Sequence, residues 1–85
     1  MESYGQADRV EDLRTLNCGE PFIYIKGAIR LGSRELKKDQ TLLLIVPKDK
    51  WTLEEETFML LLENNHFSID FQKEDFNMVY RLRKL

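Results

Sequence analysis

The sequence predicts an α+β fold in which a small, mainly antiparallel sheet of about four strands carries one main helix and a short N-terminal helix. Three observations lead to this class: an apolar run at 41–46, a helix-start signature ahead of an apolar stripe at 53–64, and alternating apolar residues from 67 onward. We expect residues 1–7 to form a flexible N-terminus and residues 8–85 to form a single domain.

The first predicted element is a short helix over 8–16. Asp8 is placed to cap its start, and the segment at 17–19 contains a glycine that can end it. Apolar residues recur at steps of three within it: Val10, Leu13 and Leu16. That spacing places them on one helical face.

The next predicted element is a strand at 22–31, where mostly apolar residues at odd positions alternate with aromatic, basic and small residues at even positions. Gly27 interrupts this segment, either as a bulge in one long strand or in a turn between two short strands. The polar segment at 32–40 is expected to be a loop with one helical turn that begins at Ser33.

Residues 41–46 form a continuous apolar run that Pro47 ends, which is typical of a central strand buried on both faces. Thr52 and Glu55 then have the spacing of a capping box, in which each side chain accepts a hydrogen bond from a backbone N–H group at the helix start. The following residues carry a wide apolar stripe and end in two asparagines. They predict the main helix at 53–64.

The C-terminal third predicts a hairpin of two strands. Both strands alternate apolar with polar residues on either side of a charged turn. The apolar set predicted for one face of the hairpin is Phe67, Ile69 and Phe71 on the first strand, and Phe76, Met78, Tyr80 and Leu82 on the second.

Composition excludes several classes of protein. A hydrophobic content of 42% with 33% charged residues is typical of a globular chain, and a net charge of −2 gives no global attraction to nucleic acid or anionic membrane. One cysteine and one histidine exclude an intramolecular disulfide and a Cys/His zinc cluster. The N-terminus lacks the pattern of a signal peptide and no apolar run can span a bilayer, so we expect a cytoplasmic protein.

No set of residues predicts catalysis. His66 follows the two asparagines and is expected to end a helix, while Cys18 beside Gly19 is expected to pack at an element boundary. The four glycines are scattered and form no phosphate-binding loop. We therefore expect no enzyme, cofactor or metal site, and an enzymatic function would depend on His66 or Cys18.

Two features predict a binding surface. Aromatic and basic residues share one face of the strand predicted at 22–31, and the basic C-terminus can extend that face. Large apolar residues are also abundant, and Trp51 either covers the core or anchors an interface. The candidate partner-binding residues are Phe22, Tyr24, Lys26, Arg30, Arg34, Lys37, Lys38, Trp51, Tyr80, Arg81 and Arg83.

These features favour a non-enzymatic regulatory or accessory protein that binds another protein and also itself as a homodimer. Its size and style are similar, in a general way, to those of small inhibitors of bacterial or phage-related targets. The alternative is a nucleic-acid-binding protein that uses the basic and aromatic sheet surface. An acidic surface that imitates DNA is a weaker alternative, because the charge is nearly balanced.

Overall fold

The fold is known from a computed structural model that describes residues 6–15 and 20–85. Within these residues the elements are β1 (Arg9–Asp12), α1 (Pro21–Glu35), β2 (Thr41–Pro47), α2 (Glu55–Asn64), β3 (Phe67–Glu74) and β4 (Asn77–Lys84). The strands form one sheet of order β1-β2-β4-β3, parallel between β1 and β2 and antiparallel elsewhere. The predicted α+β class with a mostly antiparallel sheet is confirmed.

Strand β2 lies in the middle of the sheet and divides the core into two parts, as its continuous apolar sequence predicts. Leu42, Leu44 and Val46 point to one face and pack with residues of both helices. Leu43 and Ile45 point to the opposite face and pack with Val79 of β4. Both helices therefore lie on the same side of the sheet, and β2 is buried on both faces.

The strand predicted at 22–31 is wrong, because these residues lie in the first helix. Pro21 occupies the first turn of α1, where its missing N–H costs nothing. The buried side of α1 has helical rather than alternating spacing: Ile25, Ala28, Ile29 and Gly32. Alternating isoleucines suit a strand, but they also satisfy this i, i+3, i+4, i+7 pattern, and burial of that stripe decides the outcome.

The helix predicted at 8–16 is also wrong over the residues that the structure describes. Arg9–Asp12 forms the edge strand β1, which pairs with β2 in parallel. Hydrogen bonds from Asp8 N to Thr41 O (3.1 Å) and from Leu13 N to Ile45 O (2.8 Å) extend that pairing. A segment this short has little helical stability in isolation, so the free edge of β2 offers it a better set of backbone partners. Its predicted end at 17–19 lies outside the described residues.

The predicted main helix is confirmed, but its start differs. Helix α2 begins at Glu55, its N-cap is Glu54, and no side chain caps it, so the predicted capping box does not form. Its end agrees with prediction, since the Asn65 side chain donates a 2.8 Å hydrogen bond to the carbonyl of Leu61. Asn65 caps the carboxyl end of the helix.

The predicted hairpin is confirmed, with one change of face. A β-bulge shifts the pairing of β3 and β4 between Ile69 and Phe71. Phe67 and Ile69 therefore pack on the helix side, whereas Phe71 packs beside Val79 on the other side. The prediction that all three share one face is wrong.

Both helices cover one face of the sheet, which gives a two-layer molecule. The Cα radius of gyration is 11.8 Å, close to the value of about 12 Å expected for a compact chain of this length. The shortest principal extent is 19 Å, which fits one layer of helices on one sheet. Among the described residues, no helix has the length and apolar character needed to cross a membrane.

Candidate functional site

The predicted basic and aromatic surface is divided by the real fold. Phe22, Lys26 and Arg30 follow one another at steps of four, so they form a stripe along the outside of α1. The Lys26 ammonium lies 6.0 Å from the centre of the Phe22 ring. Tyr24 lies on another side of the helix, about 160° from Lys26 at 100° per residue. The predicted common strand face of these residues is therefore wrong.

The C-terminal part of the predicted surface lies elsewhere. Tyr80 is buried between the sheet and the helices, in the main core. Arg81 pairs with Leu43 in the sheet register and Arg83 pairs with Thr41, so both arginines lie on the face away from the helices. The basic C-terminus does not extend the stripe on α1.

Ion pairing separates the cations of the sheet from those of α1. Arg81 and Arg83 each lie 3.1 Å from Asp70 Oδ2. Arg9 lies 2.9 Å from Glu35. By contrast, the cations on α1 and in the loop after it make no ion pair with any residue in the described ranges. They are Lys26, Arg30, Arg34, Lys37 and Lys38.

Large apolar side chains accompany these cations on the outer surface of the helices. Ile23 of α1 is 64% exposed, and Leu60 of α2 is 58% exposed. A shallow depression between the helices is lined by Lys26, Arg30 and Leu61. Asn64, the last residue of α2, and Asn65, its C-cap, complete the lining. We call this outer surface of α1 and α2 the helix surface. It combines exposed apolar groups with cations that make no ion pair with the described residues.

The two halves of the helix surface carry opposite charge. Helix α1 has three cations against one carboxylate, Glu35. Helix α2 has three carboxylates and no cation. The carboxylates of α2 are Glu55, Glu56 and Glu63.

A second candidate site is a groove of about 420 Å³ between α2 and the β3–β4 hairpin, which we call the aromatic groove. Three aromatic rings line it. Trp51 stacks on Tyr80 with centroids 5.3 Å apart, and it meets Phe58 edge-on at 4.9 Å. Trp51 also packs against the main core, as expected from its size. The rest of its ring lines the groove.

Charged residues surround the aromatic groove. Glu55 reaches it from α2 and Glu74 from β3, while Lys48 makes a 2.9 Å ion pair with Glu74. Burial raises the pKa of the Tyr80 phenol, and the negative charges of Glu55 and Glu74 raise it further. Both carboxylates therefore act on the same aromatic residue.

Of the two residues on which catalysis would depend, the structure describes His66. His66 is exposed and follows the C-cap of α2 in a left-handed conformation, with φ of 61°. This agrees with its expected place at a helix end. Cys18 lies outside the described residues. No group of three His, Cys, Asp or Glu side chains within the described ranges has metal-binding geometry.

The fold and these surfaces describe a small two-layer α+β protein with two candidate binding sites. Comparison with protein-family models, with curated proteins and with solved structures gives no match. The helix surface and the aromatic groove are therefore the features of this chain that bear on its function.

Proposed function

We propose that this protein acts without catalysis, as a small regulatory or accessory protein that binds protein through the helix surface and pairs with a second copy of itself. The observation that carries the proposal is the exposure of Ile23 and Leu60 on the two helices, together with α1 cations that have no ion pair in the described part of the chain. An inhibitor of a bacterial or phage-related target is one form that such a protein takes.

Exposed apolar side chains are ordinary when they are scattered, but adjacent ones favour an interface. Ile23 and Leu60 belong to the two neighbouring helices of one layer, and Tyr24, Leu31 and Met59 add further exposed apolar area on the same helices. Burial of these side chains would supply the apolar centre of an interface, and the surrounding charges would supply its polar rim.

Charge complementarity favours a second copy as the partner. In a two-fold symmetric dimer with the helix layers face to face, the basic α1 of each chain can lie against the acidic α2 of the other. The two longer extents of the molecule are 31 and 29 Å, which leaves room for the roughly 800 Å² per partner of a standard interface.

The solution mass tests the apolar contribution. Light scattering from micromolar to millimolar concentration is expected to show about twice the monomer mass of 10.2 kDa. Replacement of Ile23 and Leu60 by Ser should return the mass to that of the monomer. Val10→Ser is the matched control, because Val10 is 53% exposed but lies on the other face of the sheet. A wild-type monomer at millimolar concentration would contradict self-pairing.

Charge reversal tests the proposed arrangement. A Lys26→Glu/Arg30→Glu variant makes both helices acidic, and a Glu56→Lys/Glu63→Lys variant makes both basic. Each variant should be monomeric by itself because like charges meet in both halves of the interface. An equimolar mixture should form a heterodimer, since every contact then joins opposite charges. Two variants that stay monomeric when mixed would argue against the pairing of α1 with α2.

A direct test of the non-catalytic proposal uses Cys18. The proposal expects Cys18→Ser and His66→Ala variants to retain partner binding and the effect of the protein on its target. Loss of that effect in Cys18→Ser with unchanged binding would overturn it in favour of a reactive thiol.

The second candidate function is nucleic-acid binding. It is favoured by the stripe of Phe22, Lys26 and Arg30, whose cations have no ion pair in the described ranges, and it is disfavoured by the opposite placement of Arg81 and Arg83. It expects retention of DNA or RNA that falls steeply as salt rises, and a shallower salt dependence in Arg30→Gln. Absence of retention at low ionic strength would exclude it, because phosphate contacts are strongest there.

A further inference from the structure

We propose that the aromatic groove is a second, separate binding site, and that it accepts an arginine side chain of a partner protein. The groove lies between α2 and the β3–β4 hairpin, whereas the cations and Ile23 of the helix surface lie on α1. Glu55 and Met59 of α2 border both sites, but no residue is substituted in the tests of both, so the two proposals can fail separately.

The shape and lining of the groove suit a flat, partly apolar ligand. Its volume of about 420 Å³ lies within the range of small-molecule pockets. Trp51 is partly exposed and stacks on the buried Tyr80 at an interplanar angle of 29°, so Trp51 is the ring that a ligand can reach, and Met59 of the same groove is 48% exposed. An arginine side chain has an apolar stem for such a surface and a planar head that stacks on aromatic rings.

The charged residues that line the groove favour a cationic ligand. Glu55 enters from the helix and Glu74 from the sheet, against the single cation Lys48, so the lining carries one net negative charge. Both carboxylates raise the pKa of Tyr80, so their negative charge acts on one of the aromatic residues of the groove. A cation over an aromatic face with carboxylates at the rim gains from the ring quadrupole and from charge-assisted hydrogen bonds.

Arginine fits this arrangement better than lysine does. A guanidinium presents five N–H donors in one plane, so it can stack on Trp51 and still donate to carboxylates on two sides. An ammonium is a compact and strongly hydrated charge that gains less from stacking. The ion pair between Lys48 and Glu74 is not an obstacle, because both side chains are 55% exposed and such pairs exchange partners readily.

The experiment is a titration of the intact protein with Nα-acetyl-arginine methylamide at constant ionic strength. Trp51 is the single tryptophan of the chain, so its fluorescence reports directly on the groove. We expect a saturable change with a dissociation constant on the order of 1 mM, given the size of the probe. The citrulline analogue has nearly the same shape without the charge and should bind about tenfold more weakly.

Single substitutions give changes of opposite sign. Glu55→Gln and Glu74→Gln should each weaken arginine binding by about two- to fivefold. Lys48→Met should strengthen it by a similar factor, because it frees Glu74 and removes a like charge. Glu20→Gln makes the same chemical change at the exposed N-cap of α1, outside the residues that line the groove, and should bind like the wild type.

The gain expected from Lys48→Met cannot come from damage to the fold, so it separates recognition from misfolding. Equal affinity for the arginine and citrulline probes would overturn the proposal. So would unchanged affinity in both glutamine variants. Tighter binding of Nα-acetyl-lysine methylamide than of the arginine probe would overturn the choice of arginine.

Discussion

His66 shows how one residue can serve the fold through its backbone rather than its side chain. It has φ of 61°, a left-handed conformation that non-glycine residues rarely adopt. Its N–H donates to the carbonyl of Glu63 at 3.2 Å, and its own carbonyl accepts a 2.8 Å hydrogen bond from the backbone N–H of Leu85. The end of α2 and the C-terminus of the chain are joined at this position.

We predict that His66→Gly stabilises the fold by about 0.5–1 kcal/mol, because glycine adopts the left-handed conformation without steric cost and both backbone hydrogen bonds remain. His66→Val should destabilise it by about 1 kcal/mol, since a β-branched residue resists this conformation. Urea unfolding measures both changes. Asp39, with φ of 71°, is a second test site, and Asp39→Gly should change stability in the same direction as His66→Gly. Destabilisation by both glycine variants would contradict the prediction.

The first helix explains why the sequence predicted the class of the fold better than its individual elements. Residues 22–31 alternate like a strand, and isoleucine has a high strand propensity, yet the stripe from Ile25 to Gly32 also has helical spacing. Pro21 after Glu20 is a helix-start signal, and it pointed to the correct answer. Periodicity decides between the two only when the segment is long and its pattern is unambiguous, as in α2.

The aromatic groove shows a similar limit for the candidate site. The sequence makes Trp51 a candidate as a large aromatic residue ahead of the main helix, and Tyr80 a candidate because it belongs to the basic C-terminal segment. The sequence gives no sign that Glu55 and Glu74 act together, since they lie 19 positions apart and line one groove only because α2 packs beside the hairpin. Long-range convergence of this kind depends on tertiary packing, which the local pattern does not contain.

Two glycines of α1 provide a matched test of the helix. A Cβ at position 27 would meet nothing within 4 Å, whereas a Cβ at position 32 would lie 3.0 Å from the side chain of Leu42. Gly27→Ala should therefore stabilise the fold by about 1 kcal/mol through helix propensity. Gly32→Ala should lose that gain or destabilise, because Leu42 is fully buried and cannot move freely. Thermal unfolding compares the two, and equal stabilisation by both would show that α1 does not pack closely on β2.

At the scale of the whole molecule, the two faces of the sheet are built in different ways. The helices cover one face with apolar side chains. On the other face, Ala7 and Phe71 are the described residues that pack against the smaller cluster of Leu43, Ile45 and Val79. The Arg81 guanidinium lies 5.3 Å from the centre of the Phe71 ring. Polar and charged side chains therefore complete this face, which makes its stability sensitive to pH.

Asp70 is the residue through which we expect the stability of this face to depend on pH. Desolvation acts to raise the pKa of Asp70, but hydrogen bonds from Arg83 and Arg81 outweigh it and hold the pKa below its ordinary value. A carboxyl with a lowered pKa in the folded state contributes stability above its unfolded pKa of about 3.9, and this contribution is lost as the pH falls through the lower folded value. The urea midpoint should therefore fall between about pH 5 and pH 2, and it should fall less in Asp70→Asn. Asp49→Asn is the control, because Asp49 is exposed and makes no ion pair with the described residues, so its midpoint should fall as in the wild type. If Asp70→Asn and wild type lost stability equally in acid, carboxylates other than Asp70 would carry the pH dependence, and the arginine pair would serve only to cover the apolar cluster beneath it.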